Sequence, residues 1–279
     1  MTLTAESTSR FAEANGLRIH YHEAGEGPVL LLIHGGAPGA FGWGNFGQNM
    51  AALSRHYRTI IVDLPGYGRS DKPVITTGRF TYYADTFLAL LDVLGIARAH
   101  VVGMATGAGA ATMMALRQPE RVERLVLVSA YGGVALFQPN PSEGMKVIQS
   151  YYAGEGPSRE RMRRYLEMII FDNSRISDAI VEERYLASVD PEFMEAAAKD
   201  RAAGPPIIEP LFQELHRIKA RTLIIWGREN RVQGYDNGLY MLARIPDAQL
   251  NIYGATGLWV PFERAHRFER DVLAFLGED

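Results

Sequence analysis

Cysteine is absent from the 279 residues. That excludes disulfides, zinc–thiolate sites, iron–sulfur ligation and a thiol nucleophile in one step. Long apolar runs are absent too. The longest strongly apolar stretch, Val29 to Ile33, falls far short of the roughly 20 residues of a membrane span. Met1 to Arg10 is polar and lacks the apolar centre of a secretory leader. Neither sign of charge dominates: 29 Lys and Arg stand against 32 Asp and Glu, for a net charge of −3. With no basic block, a broad nucleic-acid footprint is not expected. These absences lead to the expectation of a cytoplasmic protein with neither nucleic acid nor membrane as partner.

What is present is globular: 47% apolar and 22% charged residues. A chain of about this length buries about 75% of its unfolded surface and needs no covalent or metal staple. Leu17 to His22 alternates in the manner of a half-buried edge strand. Val29 to Ile33, Thr59 to Val62, His100 to Val102 and Leu125 to Val128 read as fully buried strands. Between them Ala84, Phe87, Leu88, Leu91 and Leu94 keep helical spacing. Strands alternating with helices predict an α/β fold with a mainly parallel sheet covered on both faces. After Gly133 the pattern changes. Arg159 to Ile170, Asp178 to Ser188 and Pro191 to Ala203 read as charged helices, with prolines at 139, 141, 205 and 206 marking the two ends. Alternation resumes with strands at Thr222 to Trp226 and Gln249 to Tyr253, then a last helix carrying Phe262, Ala265, Phe268, Val272 and Phe275. The expected organisation is a core at residues 1–136 and 208–279, interrupted by a helical cap at 137–207.

Loops that follow the carboxyl ends of such strands are where ligands bind. Four stand out: His34 to Gly39, Asp63 to Asp71, Gly103-Met104-Ala105-Thr106-Gly107, and Gly257-Leu258-Trp259, with Gly227 to Arg231 between the last two. On these residues the chain resembles the α/β-hydrolases, and in particular the meta-cleavage-product carbon–carbon bond hydrolases. The likeness runs from Thr8-Ser9-Arg10-Phe11 to Phe275-Leu276 and includes Trp43, Asn45 and Trp226-Gly227-Arg228. It implies the α/β-hydrolase fold with a helical cap, and a substrate of the vinylogous 1,5-diketone dienoic acid type. It also implies a homodimer as the assembly. The family's elbow, G-x-S-x-G, presents a serine hydroxyl; the matching position here is Ala105. The acid position is Asn230 and the histidine position is Leu258, so the resemblance implies a triad substituted at all three places.

Other parts of such a site remain. Backbone N–H groups of Gly36 and Thr106 are candidates for an oxyanion hole, with donors worth roughly 2.7–4 kcal/mol each in other enzymes. Gly35, Ala37, Asn45, Met104, Phe171, Arg184 and Trp259 are candidate substrate-binding residues. Arg184 matches the family's cap arginine, and its plainer reading is a surface ion pair with Glu182 or Glu183. Tyr131 is a candidate proton donor or else a packing residue. His34 reads as a structural histidine bonded to backbone. The expected function is therefore a non-hydrolytic, cofactor-independent reaction on a polyketide or aromatic natural product, such as cyclisation, rearrangement, epoxide opening or carbon–carbon bond formation. The alternatives are a ligand-binding pseudo-hydrolase, or a dienoic-diketone carbon–carbon hydrolase that is inactivated or has a rebuilt site. The expected partner is a small apolar or aromatic molecule with a carbonyl or carboxylate; no metal and no cofactor are expected.

Overall fold

A computed structural model gives the fold of residues 3–278. Residues 1, 2 and 279, which belong to the polar first segment and to the outer bounds of the expected core, lie outside the described residues. The turn α1 (Ala5–Thr8) is closed by a capping box between Thr4 and Ser7 and leads into β1 (Ser9–Ala14). Then come β2 (Leu17–Ala24), β3 (Val29–Ile33), the short helices α2 (Gly42–Phe46) and α3 (Met50–Leu53), and β4 (Arg58–Val62). α4 (Arg79–Val93), β5 (Ala99–Met104), α5 (Thr106–Arg117) and β6 (Val122–Val128) complete the first half. α6 (Glu143–Ser150), α7 (Arg159–Ile169), α8 (Asp178–Ser188) and α9 (Pro191–Ala203) fill the stretch between β6 and β7 (Arg221–Gly227). The chain ends with α10 (Asp236–Arg244), β8 (Ala248–Tyr253), α11 (Val260–Glu263) and α12 (Ala265–Leu276).

The eight strands form one sheet in the order β1-β2-β4-β3-β5-β6-β7-β8. From β4 to β8 every pairing is parallel, while β1 and β2 are antiparallel additions at one side. This is the α/β-hydrolase fold with a mostly parallel sheet. Continuous apolar runs suit the central strands because both of their faces are covered: all six residues of β5 are buried. One face packs Phe87, Leu91, Met114 and Met241 from α4, α5 and α10. The other packs Phe268, Val272 and Phe275 of α12, together with Met162 and Leu166 of α7. Two expectations are corrected. Leu17 to His22 is an inner strand, because β1 pairs outside it and takes the edge. The terminal helix is broken at Arg264, which has an extended-side φ of −131°, so Phe262 belongs to the short α11.

Helices α6 to α9 start on side-chain caps. Ser142, Ser158, Ser177 and Asp190 each accept a backbone N–H from three residues on, satisfying one of the donors a helix start leaves free. The buried stripe of α7, Met162, Tyr165, Leu166 and Ile169, follows i, i+3, i+4, i+7 spacing. It lays this helix over the carboxyl ends of the strands.

Candidate functional site

The order in which strands are added reverses at β3: β4 pairs on one side of it and β5 on the other. The loops leaving β3 and β5 therefore diverge and open a crevice, the general ligand position in such sheets. After β5 the chain turns within one residue. Ala105 sits at φ 47°, ψ −113° and caps α5. For a residue with a side chain this is a strained conformation, costing on the order of 1–3 kcal/mol. Its surroundings impose it. The Ala105 N–H donates to Val128 O at 3.0 Å, and its carbonyl accepts from Ala108 and Gly109. Glycine is required on both sides: a Cβ on Gly103 would lie 2.4 Å from Gly107 O, and one on Gly107 2.2 Å from Ile33 O.

Facing this turn is the loop after β3. A Cβ on Gly35 would stand 3.3 Å from Ala105 Cβ, and one on Gly36 3.0 Å from Thr106 Oγ1. The bare backbone of Gly36 can thus approach the head of α5, where the first N–H groups lack helical partners. The Tyr67 hydroxyl fixes this loop by donating to Gly36 O at 3.1 Å. His34 fixes it from below. Its Nδ1 lies 2.7 Å from Gly35 O, and Nε2 accepts the Leu64 N–H at 2.9 Å. Full burial holds the imidazole near a pKa of about 4, so it is a neutral structural group with its tautomer set by two backbone contacts.

Arg184 reaches the same crevice from α8. It is only 4% exposed. Its Nη1 donates to Gly39 O at 3.1 Å, and its Nη2 to Gly44 O and Asn45 Oδ1, both at 2.8 Å. Every one of these acceptors is neutral, and Nε has no partner among the described residues. The guanidinium lies over Trp259 at 4.3 Å, while Trp259 Nε1 donates to Asn45 O at 3.2 Å. Burial lowers the arginine's pKa to about 10. The surface ion-pair reading with Glu182 or Glu183 does not hold: Arg184 is buried, its guanidinium bonds go to Gly39, Gly44 and Asn45, and Glu182 is engaged by Arg159 at 2.5 and 2.7 Å.

Together these elements enclose a cavity of about 60 Å³. Gly35, Gly36, Ala37, Met104, Ala105 and Thr106 form its floor, and Asn45, Arg184 and Trp259 one wall. Tyr131, Leu258 and Val232 stand on the remaining side. Leu258 is held by its backbone: its N–H donates to Ile169 O at 2.8 Å, and its carbonyl accepts Ser129 Oγ at 3.2 Å. Buried Glu263 locks that loop by accepting the N–H groups of Gly257 at 2.8 Å and Phe171 at 2.7 Å. Sequence reasoning missed Tyr165, Ile148 and Gln233 in the lining. Tyr165 was detectable from the apolar stripe of α7; Gln233 lies in a turn without periodicity.

Two expected site residues stand apart. Phe171 is 50% exposed; Ile169 and Ile170 take the inward positions as α7 ends, and Phe171 emerges on the far side. Asn230 is buried at 2% exposure but does not line the cavity. Its Oδ1 accepts the N–H groups of Val232 at 2.9 Å and Gln233 at 3.0 Å, and its Nδ2 has no partner among the described residues.

A second cavity, about 460 Å³, borders His20, His22, Trp43, Asp63 and Arg69. Ser9 Oγ is 2.9 Å from His20 Nε2, and His20 Nδ1 is 2.7 Å from Asp63 Oδ2. This serine–histidine–aspartate chain is a brace. Asp63 also accepts the N–H groups of Gly42 at 2.6 Å and Arg69 at 2.9 Å, and Ser9 Oγ accepts from Arg69 Nη1 at 3.0 Å. Burial opposes the Asp63 charge, yet the His20 bond and nearby imidazoles hold its carboxyl below the ordinary range. Among the described residues no cluster of metal-ligating side chains occurs, and no helix is long and apolar enough to cross a membrane.

The family described as alpha/beta hydrolase fold matches residues 28–265. A 2-hydroxy-6-oxononadienedioate/2-hydroxy-6-oxononatrienedioate hydrolase from Burkholderia vietnamiensis is 37% identical over 98% of this chain and 97% of its own. A 2-hydroxy-6-oxo-6-phenylhexa-2,4-dienoate hydrolase from Burkholderia cepacia is 36% identical over 98% of each. Among solved structures, a serine-to-alanine mutant of the meta-cleavage product hydrolase CumD from Pseudomonas fluorescens, complexed with acetates, superposes with a TM-score of 0.85. It is 33% identical and covers 96% of this chain and 97% of its own. These full-length similarities overturn the expectation of a non-hydrolytic reaction on a polyketide or natural product. The relatives are hydrolases of dienoates, and nothing in them points to biosynthetic chemistry.

Proposed function

The chain belongs to the α/β-hydrolase family, and on that premise we propose that its cavity is the site of a carbon–carbon bond hydrolase for 2-hydroxy-6-oxodienoates, with Ala105, Asn230 and Leu258 at the triad positions. The observation that carries this is Arg184. A guanidinium removed from water and bonded only to neutral oxygens is costly, and a substrate carboxylate or enolate supplies the missing anion. Beside it the N–H groups of Gly36 and Thr106 are the donors for an oxygen that gains charge when the ketone is attacked. Trp259 and Asn45 orient Arg184. Tyr131, whose phenol burial pushes up, stays protonated and is a hydrogen-bond donor to the ligand. Cleavage consumes one water, which adds to the ketone carbon before the bond to the dienoate breaks.

Without a side-chain nucleophile at residue 105, the chain holds its substrate and turns it over only at the level that positioning and oxyanion donors allow. A cavity of about 60 Å³ is smaller than the 300–1,000 Å³ usual for bound ligands of this size. Admitting it requires the helices of the 137–207 segment, which we take as the cap on the 1–136 and 208–279 core, to move outward. Reinstating the three groups suits the backbone. Aspartate at 230 keeps one oxygen for the Val232 and Gln233 N–H groups and frees the other for a histidine at 258.

The test is an absorbance titration of the wild-type chain with a 2-hydroxy-6-oxodienoate, followed by turnover of the triple variant Ala105→Ser, Asn230→Asp, Leu258→His. Saturable binding by the wild type and a gain of about 10³-fold or more in cleavage by the variant are expected. No binding by the wild type together with no cleavage by the variant overturns the reading. The homodimer implied by the resemblance is checked by sedimentation velocity.

A further inference from the structure

The cavity has two unlike ends. In the strand order β3-β5-β6-β7, the Ala105 elbow follows β5. Asn45, which bonds Arg184, comes from the β3 side. Tyr131 follows β6, and Val232 and Gln233 follow β7, on the opposite side. A dienoate whose carboxylate meets Arg184 and whose ketone meets the elbow therefore projects its second acyl substituent toward Tyr131, Val232 and Gln233.

Gln233 is the uncommitted polar group at that end. Its backbone is fixed twice: the N–H donates to Asn230 Oδ1 at 3.0 Å, and the carbonyl accepts Trp226 Nε1–H at 2.8 Å. The side chain thus projects from a rigid turn into the cavity. Its Oε1 is shielded from solvent and has no hydrogen-bond partner among the described residues. Leaving such a group unpaired costs about 1–3 kcal/mol; its cavity neighbours Ile148, Val232 and Leu258 cannot pair with it, and the Tyr131 hydroxyl at the same end does not. A site with a buried polar group of this kind rejects ligands that leave it unpaired.

We infer that Gln233 is a specificity-determining residue that selects a substrate whose acyl tail ends in a hydrogen-bonding group, a carboxyl, over one that ends in a phenyl ring. The carboxamide offers both N–H donors and an acceptor, and which atom faces the tail follows the bonding partner. This inference rests on the dienoate reading of the site and assigns its tail.

The experiment is a pair of absorbance titrations on the wild-type chain, with 2-hydroxy-6-oxononadienedioate and with 2-hydroxy-6-oxo-6-phenylhexa-2,4-dienoate, repeated on Gln233→Leu and Gln233→Glu. The wild type is expected to bind the dioate about tenfold more tightly, a difference of about one good hydrogen bond. Gln233→Leu removes or reverses that ratio. Gln233→Glu weakens the dioate further by like-charge repulsion, and circular dichroism with an unchanged urea midpoint reports that both variants are folded. Binding of both compounds with a ratio unchanged in both variants overturns the assignment of Gln233 alone. Failure of both compounds to bind the wild type removes it together with the dienoate reading.

Discussion

At the brace, Ser9, His20 and Asp63 stand in hydrogen-bonded order at 2.9 and 2.7 Å. At the elbow, the strained turn, the glycine loop and the buried arginine are all in place, yet residue 105 ends in a methyl group. The brace has the side chains of a hydrolytic triad without the surroundings, and the elbow has the surroundings without the side chains. At the brace every acceptor is committed: both Asp63 oxygens hold backbone N–H groups, and Ser9 is bonded by Arg69. At the elbow the backbone is committed and the side-chain positions are open. Reactivity needs both a reactive group and its presentation.

The sharpest way to separate the two regions is stability. Asp63→Ala removes an anion that ties β2 to the loop before α2. It is expected to cost about 3–5 kcal/mol, as for other broken buried pairs, read as a lowered midpoint in urea. Ala105 substitutions should show no loss of that size; if Asp63→Ala were neutral, the brace would not be structural. Acid gives the next effect. His34 is held near a pKa of about 4, against 6.5 in the unfolded chain. The unfolded state therefore takes up a proton first as pH falls. This stabilisation is complete above pH 6.5 and is lost progressively between 6.5 and about 4, a contribution of roughly 3 kcal/mol. His22, also held near about 4 by burial, adds in the same direction. Urea unfolding between pH 7.5 and 4.5 checks the sign; stability that rises toward pH 5 breaks the assignment. The smallest effect belongs to the elbow. Ala105→Gly relieves a left-handed φ of 47° and should stabilise by about 1 kcal/mol after the entropy cost of glycine, measured as a raised Tm.

The central strands were readable because burial on both faces leaves unbroken apolar runs. β1 was not. Its sequence, Ser9 to Ala14, has mixed burial and no clean alternation, so the strand beside it looked like the edge. α10 carries Gly238 in its interior, a poor helix former; a Cβ there would lie 2.9 Å from the Trp226 ring, so packing demands glycine inside this helix. At the site, Ala105 and Trp259 were legible from the loops around them, and Arg184 from the family resemblance. Gln233 was not, because an amide in a turn has no signature until its burial is known. Phe171 misled because an aromatic near a cavity-lining helix end can face either way. Reading Ala105, Asn230 and Leu258 as triad positions also led to the expectation of a changed reaction class, which the full-length similarities overturn.

Glu263 has one more implication. It grips Gly257 and Phe171 through their N–H groups, so the path of the loop is settled from outside the cavity. Residue 258 contributes only its side chain to what the cavity contains. The same holds at 105, where Val128, Ala108 and Gly109 secure the turn by main-chain bonds. These positions work like sockets with fixed rims. A change of side chain at either position leaves the main-chain bonds that hold the loop in place.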